Sequence, residues 1–364
     1  MSGADVLVLG AGAVGASAAG YAAALDGVGR VTVADRDAKA AAKVADHLEG
    51  GHRSTAVDVT NEDSLRRQIA EADVVLNCVG PYYRFARTVF EAAIDTKTDY
   101  LDVNDDWEPT LDLLAQSDRA VAAGVRAVIG VGASPGVSNL LAVMAMNLVP
   151  DATTLVTAWR EDDPSEGYSA AKEHWLQQCS GTIRVWQDGA YADVPPLAPI
   201  EVSFPGRGVL SLTTVGHPEP VTLPRRYGQL RSSVNAMACP PAVVATLKRV
   251  RTDIDDGRHT PRSAAEAFED YRRRDEDMTS LDLPGLFAAA TNDAGESATV
   301  VLTRYPDGMG PVTAAPMVAG LSLLLDGAGA PGVLTPEEAF EPEPFLTAFA
   351  RIAGLAEPVF EVLR

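Results

Sequence analysis

Cysteine is scarce in this chain of 364 residues, with three in all, at Cys78, Cys179 and Cys239. Their spacing matches no metal-binding pattern, and three thiols cannot all pair with one another. The N-terminal residues also do not predict a signal sequence. Together these absences predict a protein of the reducing cytoplasm.

Positive charge and long apolar runs are also in short supply. Lys and Arg number 30 against 50 acidic residues, for a net charge of −20 and an isoelectric point near 4.6. Nucleic acid and anionic membrane surfaces are therefore not expected partners.

The apolar N-terminal stretch is broken by glycines and is too short to cross a bilayer. P-loop, HExxH and paired CxxC motifs are absent, which excludes the usual kinase and zinc-enzyme patterns.

What the N-terminus does contain is the glycine pattern of a nucleotide-binding loop. An apolar run at residues 6–9 predicts a fully buried strand, which leads into Gly10, Gly12 and Gly15. Gly10 allows a sharp turn, Gly12 lets backbone approach a pyrophosphate, and Gly15 lets the next helix pack closely. Asp35 ends a second predicted strand, where its carboxylate can accept hydrogen bonds from a ribose. The segment therefore predicts a bound nicotinamide dinucleotide.

The choice between NAD and NADP depends on Asp35 and Arg36. An acid at this point repels a 2′-phosphate and favours NAD, whereas the adjacent arginine can pair with that phosphate and favour NADP. The sequence leaves both cofactors open, with NAD preferred. The predicted cofactor-binding residues are Gly10, Gly12, Ala13, Val14, Gly15, Asp35, Arg36, Asp58, Val59, Val79, Gly80 and Gly132.

Short apolar strands alternate with helices along the first part of the chain. The strands are predicted at residues 6–9, 30–34, 54–59, 73–79, 100–103 and 126–132. This alternation is typical of right-handed parallel crossovers in a doubly wound Rossmann sheet of the α/β class. Such sheets bind ligands beyond the carboxyl ends of their strands, so the residues after each strand are candidates for the site.

The pattern changes near residue 136, which predicts an inserted α+β domain built on a mostly antiparallel sheet. Its strands are expected at 153–159, 182–189, 200–206, 208–216 and 298–305. We expect a Rossmann domain of residues 1–135 and 311–364, to which the C-terminal helices return. Residues 136–310 would form a substrate and dimerisation domain. The charged stretch 251–282 is expected to be an exposed helix pair or a mobile insertion.

The end of the fourth predicted strand is expected to meet the nicotinamide ring. The Gly80-Pro81 turn can lie against the ring, and Pro81 is a candidate substrate contact. Tyr82 can donate a hydrogen bond or act as an acid once its pKa is lowered; alternatively it is a packing aromatic. Cys78 is expected to be a small buried residue rather than a nucleophile.

The loop after the fifth predicted strand is acidic. Asp102, Asn104 and Asp105 can hold the ammonium group of an amino acid or accept a proton from an amine, although acids here can also cap the next helix. No metal site is predicted, because neither a histidine nor a further acid stands at a useful spacing. Pro135 and Gly136, beyond the sixth strand, are further candidate substrate contacts.

Two of the five histidines are candidates for acid–base chemistry near neutral pH. His174 lies on a predicted helix and His217 follows a predicted strand, and either can face the cleft between the domains. Arg225 is a candidate for recognising a substrate carboxylate, which a guanidinium fork matches bidentately. Tyr82 and Asp102 complete the predicted catalytic set.

The chain resembles the saccharopine dehydrogenase and lysine 6-dehydrogenase superfamily. The resemblance rests on VLVLGAGAVG, DVVLNCVGPYY, YLDVN, VIGVGASPGVSNLLA, TIRVWQDG, VGHPEP and the C-terminal run from GPVTAAPMVAG to TPEEAF, which occur in that order. It implies a Rossmann domain with an inserted α/β domain, and NAD(P)-linked chemistry at a carbon–nitrogen bond. By position it implies that Gly80 and Tyr82 lie near the nicotinamide, and that Asp102 and residues 132–136 line the cleft.

We therefore expect an NAD(P)-dependent oxidoreductase that acts on an amino acid or opine by hydride transfer through an imine. Two alternatives stay open, namely an NAD(P)-binding regulatory protein without turnover and a saccharopine-like enoyl reductase acting on a lipid C=C bond. The expected partners are a small amino-acid or amine substrate and a second copy of the chain in a homodimer.

Overall fold

A computed structural model describes residues 3–161, 170–271 and 281–364 of the chain. These residues form two compact units. The first consists of the described residues within Met1–Leu140 and Arg304–Val359, and the second of those within Leu141–Thr303 and Phe360–Arg364. The second unit is thus inserted in the first and also takes the final residues of the chain.

The helices and strands follow one another along the chain in three groups. The first part contains β1 (Ala4–Leu9), α1 (Ala13–Ala23), β2 (Val28–Asp35), α2 (Ala38–Ala45), β3 (Arg53–Ala56), α3 (Glu62–Ile69), β4 (Val74–Asn77), α4 (Tyr82–Thr96), β5 (Asp99–Asp102), α5 (Trp107–Leu114), α6 (Ser117–Ala123), β6 (Arg126–Val128) and α7 (Val137–Leu148). The middle part contains β7 (Thr154–Arg160), α8 (Ala170–Gln178), β8 (Ile183–Gln187), β9 (Ala190–Val194), β10 (Pro199–Phe204), β11 (Gly208–Thr214), α9 (Glu219–Arg226), β12 (Ser232–Ala238), α10 (Pro241–Asp255), α11 (Pro261–Glu266), α12 (Phe268–Tyr271), β13 (Leu286–Thr291) and β14 (Ser297–Leu302). The last part contains α13 (Met309–Leu325), β15 (Gly332–Leu334), α14 (Pro336–Ala339), α15 (Pro342–Ile352) and β16 (Phe360–Leu363). Within the described ranges, none of these helices is both long and apolar enough to cross a membrane.

The first unit is built on a seven-stranded parallel sheet in the order β15-β6-β5-β4-β1-β2-β3. β1 lies inside the sheet because residues 6–9 are apolar on both faces, and each is at most 1% exposed. The predicted doubly wound Rossmann sheet is confirmed. The sequence pattern does not predict β15, because three residues after a glycine-rich loop are too few to show a period.

The strand order of this sheet reverses between β1 and β4. β2 and β3 lie on one side of β1, whereas β4, β5, β6 and β15 lie on the other. The chain therefore leaves the carboxyl ends of β1 and β4 in opposite directions and opens a crevice between them. Open parallel sheets bind ligands at this switch point, just beyond Leu9 and Asn77.

Helix α13 approaches α1 closely within the same unit. A Cβ atom at Gly310 would lie 2.6 Å from the Ala13 carbonyl oxygen and 2.9 Å from Ser17 Oγ, so the contact requires glycine. Ala13 is the first residue of α1 and Gly310 the second of α13. Two helix N-termini therefore lie side by side, next to the loop that follows β1.

The second unit is built on a nine-stranded mixed sheet. Seven strands follow the order β10-β11-β12-β7-β13-β14-β16, and β8 pairs with both β12 and β9. The sheet is mostly antiparallel, as predicted, with β12 and β7 as a parallel pair. One apolar cluster joins helical residues such as Trp175 and Phe268, and a second joins sheet residues such as Phe204 and Phe287.

Two expectations for the later part of the chain are wrong. Phe360–Leu363 do not return to the first unit, because they pair with β14 of the second sheet. The charged stretch after residue 251 is not wholly exposed, since Ala264, Ala265 and Phe268 are buried in the core beside α8 and α10. Residues 272–280 of that stretch lie outside the described residues.

Candidate cofactor-binding site

The loop after β1 has the shape that its glycines predict. Gly10 has a φ of +97°, and a Cβ atom there would lie 2.9 Å from the Cys78 carbonyl oxygen. A Cβ atom at Gly15 would lie 1.8 Å from the Gly10 carbonyl oxygen. At Gly12, by contrast, a Cβ atom would meet no atom within 4 Å. Gly10 and Gly15 are thus required by the fold, whereas Gly12 leaves open space above the loop.

This open space faces the N-terminus of α1. Gly12 caps the helix without a side-chain hydrogen bond, and the first turn contains no acidic residue. The Ala16 amide donates to the Gly12 carbonyl at 2.8 Å, so the amides of Ala13, Val14 and Gly15 precede the first intrahelical bond. These N–H groups have no partner within the helix, and the first turn has no carboxylate that would repel an anion. They therefore suit a bound anion. A dinucleotide pyrophosphate fits this arrangement.

Asp35, at the end of β2, holds the glycine loop in place. Its two carboxylate oxygens accept hydrogen bonds from the amides of Ala11 and Asp37, each at 2.8 Å. These donors partly offset its negative charge, although each oxygen keeps a further lone pair for a ribose hydroxyl. Arg36 follows directly and is exposed. The strand end therefore presents a shielded acid beside an accessible guanidinium.

Asp58, shortly after β3, lies near the same guanidinium. Its carboxylate accepts hydrogen bonds from the Thr60 hydroxyl at 2.7 Å and the Thr60 amide at 2.9 Å. These bonds are the main reason that its pKa lies below the ordinary value, and attraction to Arg36 lowers the pKa further. Asp58 is exposed, whereas the neighbouring Val59 is buried.

A chain of buried side chains links the ends of β4 and β5. Asn77 Nδ2 donates to the Tyr100 hydroxyl at 3.0 Å, and that hydroxyl donates to Asp102 Oδ2 at 2.8 Å. Asp102 Oδ1 accepts from the amides of Gly130 at 2.7 Å and Asn104 at 3.1 Å. Asn77, Tyr100 and Asp102 have no exposed surface. We call these three residues the strand-end network.

Burial raises the pKa values of the groups around this network. Desolvation raises the pKa of Asp102 to about 6, although hydrogen bonds from Gly130, Asn104 and Tyr100 oppose the shift. Desolvation, with the nearby charge of Asp102, raises the pKa of the Cys78 thiol to about 12. With a pKa this high the Cys78 thiol is protonated at neutral pH, which does not favour a nucleophile.

Tyr82 does not have the properties of an acid with a lowered pKa. Its hydroxyl is buried and donates to the Asn77 carbonyl oxygen at 2.9 Å. Desolvation raises its pKa well above the ordinary value of 10.0, and the nearby acidic groups Cys78 and Asp102 raise it further. The expectation of a lowered pKa is wrong, because the ring lies inside the fold at the start of α4.

Asp102 should make the stability of the first unit depend on pH. A folded pKa of about 6 against an ordinary value of 3.8 means that its contribution is complete below about pH 4 and is lost as pH rises through 6. The loss amounts to about 3 kcal/mol by about pH 8. Asp102→Asn cannot ionise, so its free energy of unfolding relative to wild type should rise by about that amount between these pH values. Urea unfolding at both pH values measures the difference, and a constant offset would contradict the prediction.

The loop after β6 is fixed from the C-terminal part of the chain. A Cβ atom at Gly136 would lie 2.1 Å from the Gly132 carbonyl oxygen, and its φ is +120°, so the position requires glycine. The Gly136 amide donates to Asn139 Oδ1 at 3.0 Å, and Asn139 Nδ2 donates to Glu337 Oε2 at 2.8 Å. Glu337, in α14, has no exposed surface. Pro135 is buried in this loop as well.

This loop reads GASPG and so has the GxSxG spacing of a hydrolase nucleophile elbow around Ser134. Such an elbow holds its serine on a strained turn. Here the left-handed backbone conformation belongs to Gly136, and Ser134 does not have a positive φ. The loop is therefore a tight glycine turn, and Ser134 is not assigned a nucleophilic role.

The acidic loop after β5 separates into buried and accessible residues. Asn104 is buried, its Nδ2 donates to Thr110 Oγ1 at 2.9 Å, and its Oδ1 accepts from the Asp106 amide at 3.2 Å. The Asn104 side chain thus closes its own loop, which removes the basis for its predicted substrate contact. Asp102 and Asp106 are also buried, whereas Asp105 is only partly buried.

The remaining candidates belong to the second unit. His174 lies on α8 and is partly buried. His217 is buried, with its ring centroid 4.5 Å from that of Trp159 and its Nδ1 3.4 Å from the Glu219 carboxylate. Arg225 is exposed on α9. Catalytic roles for the histidines and a substrate contact for Arg225 stay predictions.

The first unit brings most of the predicted site residues to the carboxyl ends of its strands. These are Gly10–Gly15, Asp35, Arg36, Asp58, Val79–Tyr82, Asp102–Asp105 and Gly132–Gly136. Sequence reasoning missed Asn77, Tyr100, Asn139 and Glu337. The signal for Asn77 was a polar residue ending an otherwise apolar strand, and for Glu337 it was the PEE segment of the family resemblance.

Comparison with known proteins agrees with this geometry. Residues 6–128 match the family model described as the saccharopine dehydrogenase NADP-binding domain. A curated relative, saccharopine dehydrogenase [NADP(+), L-glutamate-forming] of Saccharomyces cerevisiae, is 33% identical over 150 residues, which cover 40% of this chain and 31% of the relative. The match thus spans less than a third of that relative's length. Both descriptions name NADP, so the preference for NAD is not supported.

One solved structure has a similar fold over the whole chain. Apo saccharopine dehydrogenase (L-Glu forming) from Saccharomyces cerevisiae superposes with a TM-score of 0.68 at 17% identity, and all of both chains is covered. A myo-inositol dehydrogenase from Corynebacterium glutamicum has a TM-score of 0.46 at 11% identity, over 100% of this chain and 99% of the other. That second likeness is too remote to carry an argument. The resemblance found in the sequence is confirmed over residues 6–128, which match the saccharopine dehydrogenase NADP-binding domain.

Proposed function

We propose that this chain is an NADP-dependent oxidoreductase that acts on a carbon–nitrogen bond of an amino acid or opine-type conjugate, through an imine. The observation that carries the proposal is the open space over Gly12 at the β1–β4 switch point, within a domain of the NADP-binding family. The substrate class follows the name of the yeast relative, a saccharopine dehydrogenase that forms the amino acid L-glutamate.

NADP is favoured over NAD by the end of β2. Two backbone amides offset the charge of Asp35, which reduces its repulsion of a 2′-phosphate. Arg36 is exposed beside it and can form charge-assisted hydrogen bonds with that phosphate. The family description and the name of the yeast relative point the same way.

The roles of the other residues follow from where they lie. When bound, NADP supplies or accepts a hydride at its nicotinamide ring. The Val79–Pro81 turn, after β4, would lie against that ring and exclude water. Asp105 is the acid of its loop that is not buried, and we assign it to the substrate nitrogen, whose proton its carboxylate would take.

Cofactor titration followed by a substrate panel tests the proposal. Tight binding of NADPH with weaker binding of NADH, read from reduced-nicotinamide fluorescence, is expected. Amino acids, diamines and secondary-amine conjugates are then mixed with NADP⁺, and absorbance of the reduced form is followed. Turnover with one of them supports the proposal. Tight binding with no turnover would favour a regulatory protein, and turnover only with an enoyl lipid would favour the reductase alternative.

A further inference from the structure

The turn that follows β4 is fixed by one hydroxyl group buried behind it. We propose that Tyr100 is a positioning residue that holds the Val79–Pro81 turn against the nicotinamide. This inference rests on the proposed function, because it needs a nicotinamide ring at the switch point. Tyr100 itself has no exposed surface and would touch neither cofactor nor substrate.

Asn77 connects the turn to Tyr100. Its Oδ1 accepts from the Val79 amide at 3.1 Å, and its carbonyl oxygen accepts from the Tyr82 hydroxyl at 2.9 Å. Its Nδ2 has the Tyr100 hydroxyl as partner at 3.0 Å. The orientation of the Asn77 amide therefore decides the direction in which the chain leaves β4, and the hydroxyl decides that orientation.

Tyr100 is in turn anchored from the far side. Its hydroxyl donates to Asp102 at 2.8 Å, and Asp102 accepts amides from the ends of both β5 and β6. Asn77 and Asp102 are direct partners in the parallel pairing of β4 and β5, so the hydroxyl bridges opposite residues. The ring packs edge-on against Phe90 at a centroid distance of 5.3 Å. Packing fixes the ring, and the hydroxyl then ties three strand ends together.

Tyr100→Phe removes this link and keeps the ring. Asn77 Nδ2 and Asp102 Oδ2 would each lose a buried partner, so the amide is free to turn and the Val79–Pro81 turn shifts with it. The dissociation constant of NADPH should rise about tenfold. The emission spectrum of the bound reduced nicotinamide should also differ from that of the wild type.

The adenosine half of the cofactor provides the internal comparison. Adenosine 2′,5′-bisphosphate carries the adenine, ribose and 2′-phosphate but no nicotinamide, so its dissociation constant should change by less than about twofold. A general loss of structure would weaken the binding of both ligands to the same extent. Tyr21 is a partly buried tyrosine near the C-terminal end of α1 in the same unit. Tyr21→Phe is therefore the matched control and should bind both ligands as the wild type does.

Asn77→Ala breaks the same series of hydrogen bonds on the other side of Tyr100. It provides a second test in case Tyr100→Phe fails to fold. Thermal melting establishes which variants are folded. Weakened NADPH binding and a changed nicotinamide spectrum, with the fragment unaffected, support the inference. Equal losses for both ligands, or no loss in either variant, would overturn it. A wild-type protein that binds the fragment but no nicotinamide form would instead overturn the proposed function, and the inference with it.

Discussion

Gly12→Asp is expected to raise the dissociation constant of NADPH about 1000-fold while the protein stays folded. An added carboxylate would stand where the pyrophosphate lies, about 4 Å from its negative charge, and such a repulsion amounts to about 4 kcal/mol at an effective dielectric constant near 20. The fold should tolerate the side chain, because a Cβ atom at Gly12 meets nothing within 4 Å. The Gly12 backbone, with φ −74° and ψ −170°, suits any residue.

Calorimetric titration with NADPH measures the loss, and thermal melting checks the fold. Gly12→Ala separates size from charge and should weaken binding less. Gly15→Ala gives the opposite pattern, because its Cβ atom would lie 1.8 Å from the Gly10 carbonyl oxygen. It should cost about 1–3 kcal/mol of stability through overpacking. If the Gly12→Asp variant is folded and its NADPH affinity is unchanged, the glycine loop does not bind the cofactor.

Arg36→Ala is expected to raise the dissociation constant of NADP⁺ about 30-fold, or about 2 kcal/mol, and to leave that of NAD⁺ nearly unchanged. The two cofactors differ only in the 2′-phosphate, so the difference isolates one charged contact. Arg36 is exposed at the end of β2, where that phosphate would lie. Removing the guanidinium leaves the hydrogen bonds of Asp35 intact.

Arg53→Ala is the matched control for this measurement. Arg53 is also exposed, but it begins β3, at the opposite end of the strands from the proposed site. Arg53→Ala removes the same charge from the same unit as Arg36→Ala does, so any general electrostatic effect would appear in both variants. An equal loss of NADP⁺ and NAD⁺ affinity in Arg36→Ala would show that Arg36 does not read the 2′-phosphate.

The sequence predicts the first unit well because its signals are local. Each parallel strand is a short apolar run followed by a helix, and the GxGxxG loop lies within a few residues of its strand. The sequence does not predict β13, because LFAAAT is rich in alanine, which favours helices. Burial at the centre of the second sheet overrides that preference. The sequence does not predict β12 either, because apolar and polar residues do not clearly alternate in SSVNAMA.

The sequence predicts those parts of the site whose residues lie close together along the chain. Gly10, Gly12 and Gly15 receive individual roles from their spacing alone. The bond between Asn77 and Tyr100 depends on the register of β4 with β5, and the bond between Asn139 and Glu337 joins positions 198 residues apart. The sequence also does not show that Tyr82 is buried. Burial raises its pKa, whereas a lowered pKa is expected from the sequence.

The contact between Gly310 and Ala13 has a consequence for synthesis on the ribosome. The glycine loop emerges early, yet the helix that packs beside it, α13, is translated only after the whole sequence between β6 and β14. β15, the neighbour of β6, comes later still. A nascent chain released before residue 334 would therefore carry every glycine of the fingerprint without a finished sheet edge behind it. Competence to capture the dinucleotide should accordingly appear late in translation, once β15 has left the exit tunnel.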